Sequence, residues 1–264
     1  MRKKRRIFVV VIFVILLFPI GKTSAFPPGR EAQQPDLISL HYLLRSQQIE
    51  VPDWHFGTDQ SQPHSGMHGQ SMVVSSGCDV NGDGFDDVLI GDRDYYYQTY
   101  DDNGQVWLFF GGSDGLSTTP DITFPPPYTN TYGFFGGSVA CAGDVNGDGF
   151  DDIIISETNY ESNSSYADEG AVFVYYGSET GPDTTYDWMA RSNTMWAHFG
   201  RSVDSAGDIN NDGYDDIIVG TTEDYVKPNV YVWFGGPGGL GDNGLPSNAD
   251  WTASGSSGSW GYGQ

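Results

Sequence analysis

The chain has 264 residues, with 35 acidic against 12 basic side chains and a formal net charge of −23. A surface of that sign repels phosphate backbones and anionic lipid headgroups, which excludes nucleic acid and acidic membranes as partners.

In chain order, residues 2–6 read Arg-Lys-Lys-Arg-Arg, an apolar run extends from Ile7 to Ile20, and Thr23-Ser24-Ala25 supplies small residues for cleavage. This pattern predicts a secretory signal over residues 1–25, cut after Ala25. The apolar run is shorter than the ~20 residues a membrane-spanning helix needs. No second such run follows, so no membrane insertion is expected after cleavage. The expected localisation is secreted or at the cell surface, extracellular or periplasmic. Cleavage removes six of the 12 basic residues and none of the acids. Residues 26–52, with Pro, Gln and one apolar cluster from Leu37 to Leu44, read as a linker or pro-segment without chemistry.

From residue 53 the chain is repetitive, with a period of about 65 residues. One nine-residue stretch occurs three times, as Asp79–Asp87, Asp144–Asp152 and Asp208–Asp216. Oxygen-bearing side chains stand at its positions 1, 3, 5 and 9, with Gly at position 6 and an aromatic at position 7. Short carboxylate and amide arms on alternate residues, a glycine for the sharp turn and a free carbonyl at position 7 suit a hard cation such as calcium. A solvated acidic turn is the alternative for one copy, because Asp, Asn and Gly are ordinary loop residues. Three copies favour calcium. Position 12 is apolar (Ile90, Ile155, Val219), where an EF-hand needs a bidentate acid, so that class of site is excluded.

The runs Val88-Leu89-Ile90, Ile153-Ile154-Ile155 and Ile217-Ile218-Val219 are short and β-branched, which predicts buried strands. Each unit also carries an aromatic-Gly or His-Gly pair (His68-Gly69, Phe135-Gly136, Phe199-Gly200 and the terminal Tyr262-Gly263) before its loop. An alternating strand follows at Gln105–Phe110, Ala171–Tyr176 or Val230–Phe234. An outer strand then begins near Phe124, Trp188 or Trp251. Four short strands per unit predict an all-β fold, a β-propeller of four-stranded blades.

These units resemble the FG-GAP repeats of the integrin alpha-subunit propeller and of many bacterial exported proteins. The resemblance rests on the Phe-Gly pairs and on Ala142-Gly-Asp-Val-Asn-Gly-Asp-Gly-Phe-Asp-Asp152 with its two sister runs, and it covers about residues 53–264. It implies blades at about 67–131, 132–196 and 197–260, with a further blade starting at 261. The segment Asp53-Trp54 matches Asp187-Trp188 and Asp250-Trp251, which implies an N-terminal closing strand. Three complete blades and part of a fourth make an incomplete ring, as in a fragment of a longer protein. The resemblance further implies about three structural calcium ions in hairpins between the first two strands of each blade. By position, the ligands are Asp79, Asn81, Asp83 and Asp87; Asp144, Asn146, Asp148 and Asp152; and Asp208, Asn210, Asp212 and Asp216. The carbonyls of Phe85, Phe150 and Tyr214 complete the sets.

Two cysteines in an exported chain invite a disulfide. Cys78 and Cys141 fall at different places in their repeats, however, and the expectation is two small buried residues. His55, His64 and His68 lie in a Pro/Ser/Gly-rich stretch with no helix to align them, and read as solvated. No nucleophile elbow, phosphate loop or zinc signature is present, so no enzyme is expected. Tyr95, Tyr96, Tyr97 and Tyr160, on excursions after the second strands, are candidate contacts for a protein or carbohydrate ligand. The alternative is that these rings cover the edges between blades. The expected function is an exported calcium-binding module of adhesion type. The other class considered is the non-catalytic propeller portion of a larger secreted hydrolase or lyase.

Overall fold

A computed structural model describes residues 72–95, 103–128, 132–163, 166–221 and 228–255. The leader, the linker, the Asp53-Trp54 strand, two of the four aromatic-Gly or His-Gly pairs (His68-Gly69 and Tyr262-Gly263), Tyr96, Tyr97 and the fourth blade lie outside the described residues. Twelve strands and no helix occur among them. In chain order they are β1 (Met72–Cys78), β2 (Asp87–Asp92), β3 (Gln105–Phe109), β4 (Ile122–Phe124), β5 (Phe135–Gly143), β6 (Asp152–Glu157), β7 (Ala171–Tyr175), β8 (Trp188–Arg191), β9 (Ser202–Gly207), β10 (Asp216–Gly220), β11 (Asn229–Trp233) and β12 (Trp251–Ser254). They form three antiparallel four-stranded sheets in sequential order, β1 to β4, β5 to β8 and β9 to β12. Each sheet is one blade. The first strands of successive blades are neighbours, and the described residues do not close into a ring.

The core sits between blades, and period-2 geometry explains the continuous apolar runs. In β6, Ile153 and Ile155 face blade 1 and join Leu89, Leu108 and Phe124, whereas Ile154 faces blade 3 and joins Ile217 and Trp233. β7 divides the same way: Phe173 and Tyr175 point to one side, Val172 and Val174 to the other. A central blade is therefore buried on both faces, which is why its strands show no polar alternation. Phe173 is fully buried among Phe135, Tyr128 and Tyr186. Phe173→Ala is expected to cost about 3–5 kcal/mol in urea unfolding.

Each first strand carries a bulge at the residue that precedes its last pair before the acidic loop. The ladder skips Gly77, Ala142 and Ala206. The extra residue sharpens the twist and aims the loop away from the ladder.

The cysteines correct the sequence expectation. Cys78 and Cys141 are disulfide-bonded, with Cα atoms 5.5 Å apart, and they join β1 of blade 1 to β5 of blade 2. Equivalent repeat positions are not required, because the bond crosses between neighbouring first strands. Cys78 stands at the bulge, and the Cys141 N–H donates to Ser75 Oγ at 3.2 Å, which brings the two strands side by side.

At the other end of the strands, Gly104 forms a parallel bridge with Phe135 across the blade 1–blade 2 junction. Its φ is +84°, and a Cβ would run into the Phe135 carbonyl. Gly104→Ala is expected to cost at least about 2 kcal/mol in the same unfolding measurement. A smaller loss would show that the junction gives way there.

Candidate metal centres and the opposite loop face

The three acidic loops adopt one geometry, set by their own side chains. At position 1, Asp79 Oδ1 accepts from the Asp83 N–H at 2.9 Å, and its Oδ2 accepts from Gly84 at 2.8 Å. At position 3, Asn81 Oδ1 accepts from the same Asp83 N–H at 3.1 Å, and its Nδ2 donates to Asp83 Oδ2 at 3.2 Å. At position 5, Asp83 Oδ1 accepts from Phe85 at 2.9 Å. The second and third loops repeat these bonds through Asp144, Asn146 and Asp148, then through Asp208, Asn210 and Asp212. Short side chains that accept from the backbone two to five residues on are what make Asp and Asn favourable in tight loops.

Position 9 does something different. Asp87, Asp152 and Asp216 are buried, and each binds two segments. One oxygen accepts from the position-2 N–H (Val80, Val145, Ile209) at 2.9, 2.9 and 3.0 Å. The other accepts from Gly111, Gly177 or Gly235, just after the third strand, at 2.7, 2.8 and 2.9 Å. Burial pushes the Asp87 carboxyl up to about 6 and that of Asp152 up to about 8. Those two backbone bonds oppose the shift, and the neighbouring position-1 and position-5 carboxylates add to it. Asp216 is raised for the same reasons.

Position 8 was not singled out as a site by sequence reasoning, yet it links the loops. Asp151 of blade 2 reaches back to blade 1: its Oδ2 accepts from the Asp79 N–H at 2.8 Å, and its N–H donates to the Asp79 carbonyl at 3.2 Å. Asp215 of blade 3 repeats this on Asp144, at 3.0 and 3.1 Å. The available signal was an aspartate in all three copies at a position with no ligand duty. A third set of acids, Asp121, Asp187 and Asp250, accepts from the N–H of Phe110, Tyr176 and Phe234 at 2.8 Å each, tying the outer strand to the end of the third. Much of the negative charge is thus committed to backbone donors.

Among the described residues, no three His, Cys, Asp or Glu side chains converge as a metal-binding group. In the loops the position-1, -3 and -5 oxygens instead turn onto backbone N–H groups. Asp144 Oδ1 accepts two such bonds, from Gly147 at 2.7 Å and Asp148 at 3.0 Å; the ligand atoms are all oxygen, the kind a hard cation takes.

The opposite end of the strands carries the aromatic excursions. Tyr95 is half-buried and sits edge-on to Trp107, with ring centroids 5.2 Å apart. Tyr160 is only 6% exposed and is packed against Tyr128 and Phe173. Tyr160 is therefore a core ring between blades and offers no contact surface; its place follows the edge-covering alternative. Two aromatics that sequence reasoning passed over are exposed instead. Tyr132 and Trp196 stand three residues before Phe135 and Phe199, at equivalent positions, are 46% and 39% exposed, and have φ of 63° and 61°. Met195 beside Trp196 is also exposed. The Trp196 N–H donates to the Ala167 carbonyl at 2.9 Å, and the His198 N–H to that of Asp168 at 3.1 Å, so this backbone is pinned.

The FG-GAP repeat family matches residues 72–109, 135–175 and 199–241, one match per sheet. The chain is 34% identical over 173 residues to integrin alpha-8 of Mus musculus, an alignment covering 62% of this chain and 15% of that protein. It is 33% identical over 153 residues to integrin alpha-5 of Xenopus laevis, covering 55% and 14%. It is 34% identical over 184 residues to integrin alpha-IIb of Mus musculus, covering 65% and 17%. The chain thus spans less than a fifth of the length of these relatives. With a four-stranded blade under each match, residues 72–241 carry three FG-GAP repeats.

Proposed function

We propose that this chain is an exported, non-enzymatic adhesion-type propeller module that binds a protein ligand through the loop face opposite its acidic hairpins. The observation that carries this reading is the pair Tyr132 and Trp196. An L-residue in the left-handed region costs about 1–2 kcal/mol. Two aromatics are held there at equivalent positions of successive blades, each with a large part of its surface exposed to solvent. Rigid amphipathic rings at a loop tip supply contact area with little entropy to lose. Tyr95 adds a partly exposed ring at the same end of blade 1. The similarity to integrin alpha subunits supports a protein ligand over a carbohydrate. Binding of the full chain to a panel of extracellular-matrix proteins and to a glycan array, read by surface plasmon resonance, tests the proposal. Tyr132→Ala and Trp196→Ala are each expected to weaken protein binding about 10-fold or more. Unchanged affinity in both variants would remove this face from the function.

Within the same reading, each acidic hairpin takes one calcium ion. Asp79, Asn81, Asp83 and Asp87 with the Phe85 carbonyl would hold the first. Asp144, Asn146, Asp148 and Asp152 with Phe150 would hold the second, and Asp208, Asn210, Asp212 and Asp216 with Tyr214 the third. The ion supplies a positive charge at the point where these carboxylates crowd, and so stabilises the hairpin. The chain's own residues fix the loop: the position-9 aspartate anchors it to the third strand, and the position-8 aspartate of the next blade caps it.

A further inference from the structure

The blade 1–blade 2 junction holds, at its end away from the acidic loops, two polar side chains with nothing to bind. Glu157, the last residue of β6, is fully buried, and neither carboxylate oxygen has a hydrogen-bond partner. Asn103, just before β3, is equally buried, and neither its amide oxygen nor its nitrogen is bonded. The two meet at Gly133, where a Cβ would lie 2.5 Å from Glu157 Oε1 and 3.1 Å from Asn103 Oδ1. No neighbouring charge offsets the Glu157 carboxyl, and burial alone pushes it up to about 8. Arg93, the nearby cation of blade 1, is engaged elsewhere: it lies over the Phe134 ring at 5.4 Å and pairs with Asp94 at 3.4 Å.

The next junction shows the same place in the repeat closed. Ala197 stands where Gly133 does, Thr221 where Glu157 does, and Glu169 where Asn103 does. There every one of these polar groups is engaged. Thr221 Oγ1 accepts from the Asn229 N–H at 2.8 Å. Glu169 accepts from the Ser162 and Asn193 N–H groups at 2.9 Å each, and Arg191 lies 3.8 Å away. The fold can therefore fill this position with an alanine and paired groups. Between blades 1 and 2 it keeps a glycine, a carboxylate and an amide that face one point.

We propose that Glu157 and Asn103 hold a small monovalent cation, of the size of sodium, between the first two blades. An unpaired carboxylate in an interior costs several kcal/mol, and buried charges are found paired or on metals. The oxygens of a carboxylate and an amide suit a hard cation. One carboxylate supplies one negative charge, so a monovalent ion leaves the site neutral, whereas a divalent ion strands a positive charge. The site lies at the far end of the strands from the acidic hairpins and does not depend on how they are filled.

The test is thermal melting of the full chain, saturated with calcium, at about pH 9 so that the carboxyl is ionised. Sodium chloride is compared with tetramethylammonium chloride at equal ionic strength, the second cation being too large to enter. The wild type is expected to melt about 2–4 °C higher in sodium. Glu157→Gln keeps the shape without the charge and should melt equally in both salts. The pair Gly133→Ala with Glu157→Thr, which copies the next junction, should do the same. Equal melting of the wild type in the two salts overturns the proposal, and so does a sodium increment that survives in either variant.

Discussion

Replacing Cys78 and Cys141 together by Ala should cost about 4 kcal/mol, the loop entropy released when a closure of this length is opened in the unfolded chain. The bond spans 63 residues of sequence and joins the first strands of two blades. Blade junctions otherwise rest on side-chain packing and a few hydrogen bonds, among them those of Asp151 and Asp215, so the bond restrains the separation of blade 1 from blade 2. A loss of this size lowers the melting temperature by roughly 8–16 °C for a chain of this size. Urea unfolding of the double variant against the wild type measures it directly. A loss below about 1 kcal/mol would mean that the unfolded chain already holds the two strands together, or that packing alone sets the junction.

Chelation of calcium is the second large effect expected. If each hairpin binds one ion, a thousandfold excess of calcium over Kd contributes about 4 kcal/mol per site. Melting in chelator is then expected to fall about 10 °C or more below melting in calcium. Asp144→Ala, in the central blade, should remove part of that difference and leave the remainder. Identical melts in calcium and chelator would defeat the metal assignment and leave the loops as turns held by their own N–H bonds. Asp151→Ala separates the two contributions. It removes the cap on the blade 1 loop without touching a proposed ligand, and should weaken calcium binding there several-fold, measured by calorimetry.

The strands and hairpins were legible because their signals are local. Ile153–Ile155 is short, β-branched and bounded by an acidic turn, and the Asp/Asn/Gly spacing of the loops is set within nine residues. What stayed hidden acts between blades. Asp151 looks like any solvated loop acid until blade 1 is set beside it. Cys78 and Cys141 come together only through the offset of two first strands, which repeat alignment does not show. Tyr160, read as a candidate contact, is buried, and Trp196, which had no assigned role, is exposed, for a similar reason. Both are amphipathic, and whether such a ring faces a neighbouring blade or solvent depends on the backbone that turns it, here a left-handed residue at Trp196.

The backward reach of Asp151 and Asp215 also sets an order in time. The donor on Asp79 and the acceptor on Asp151 are 72 residues apart, so the first loop cannot be capped when its own hairpin emerges from the ribosome. At ordinary synthesis rates the missing carboxylate arrives roughly 4–14 s later. Each newly made blade finishes the one before it and leaves its own loop open. The growing chain therefore assembles as a zipper with a lag of one repeat, and its most recently made acidic hairpin is always the least protected.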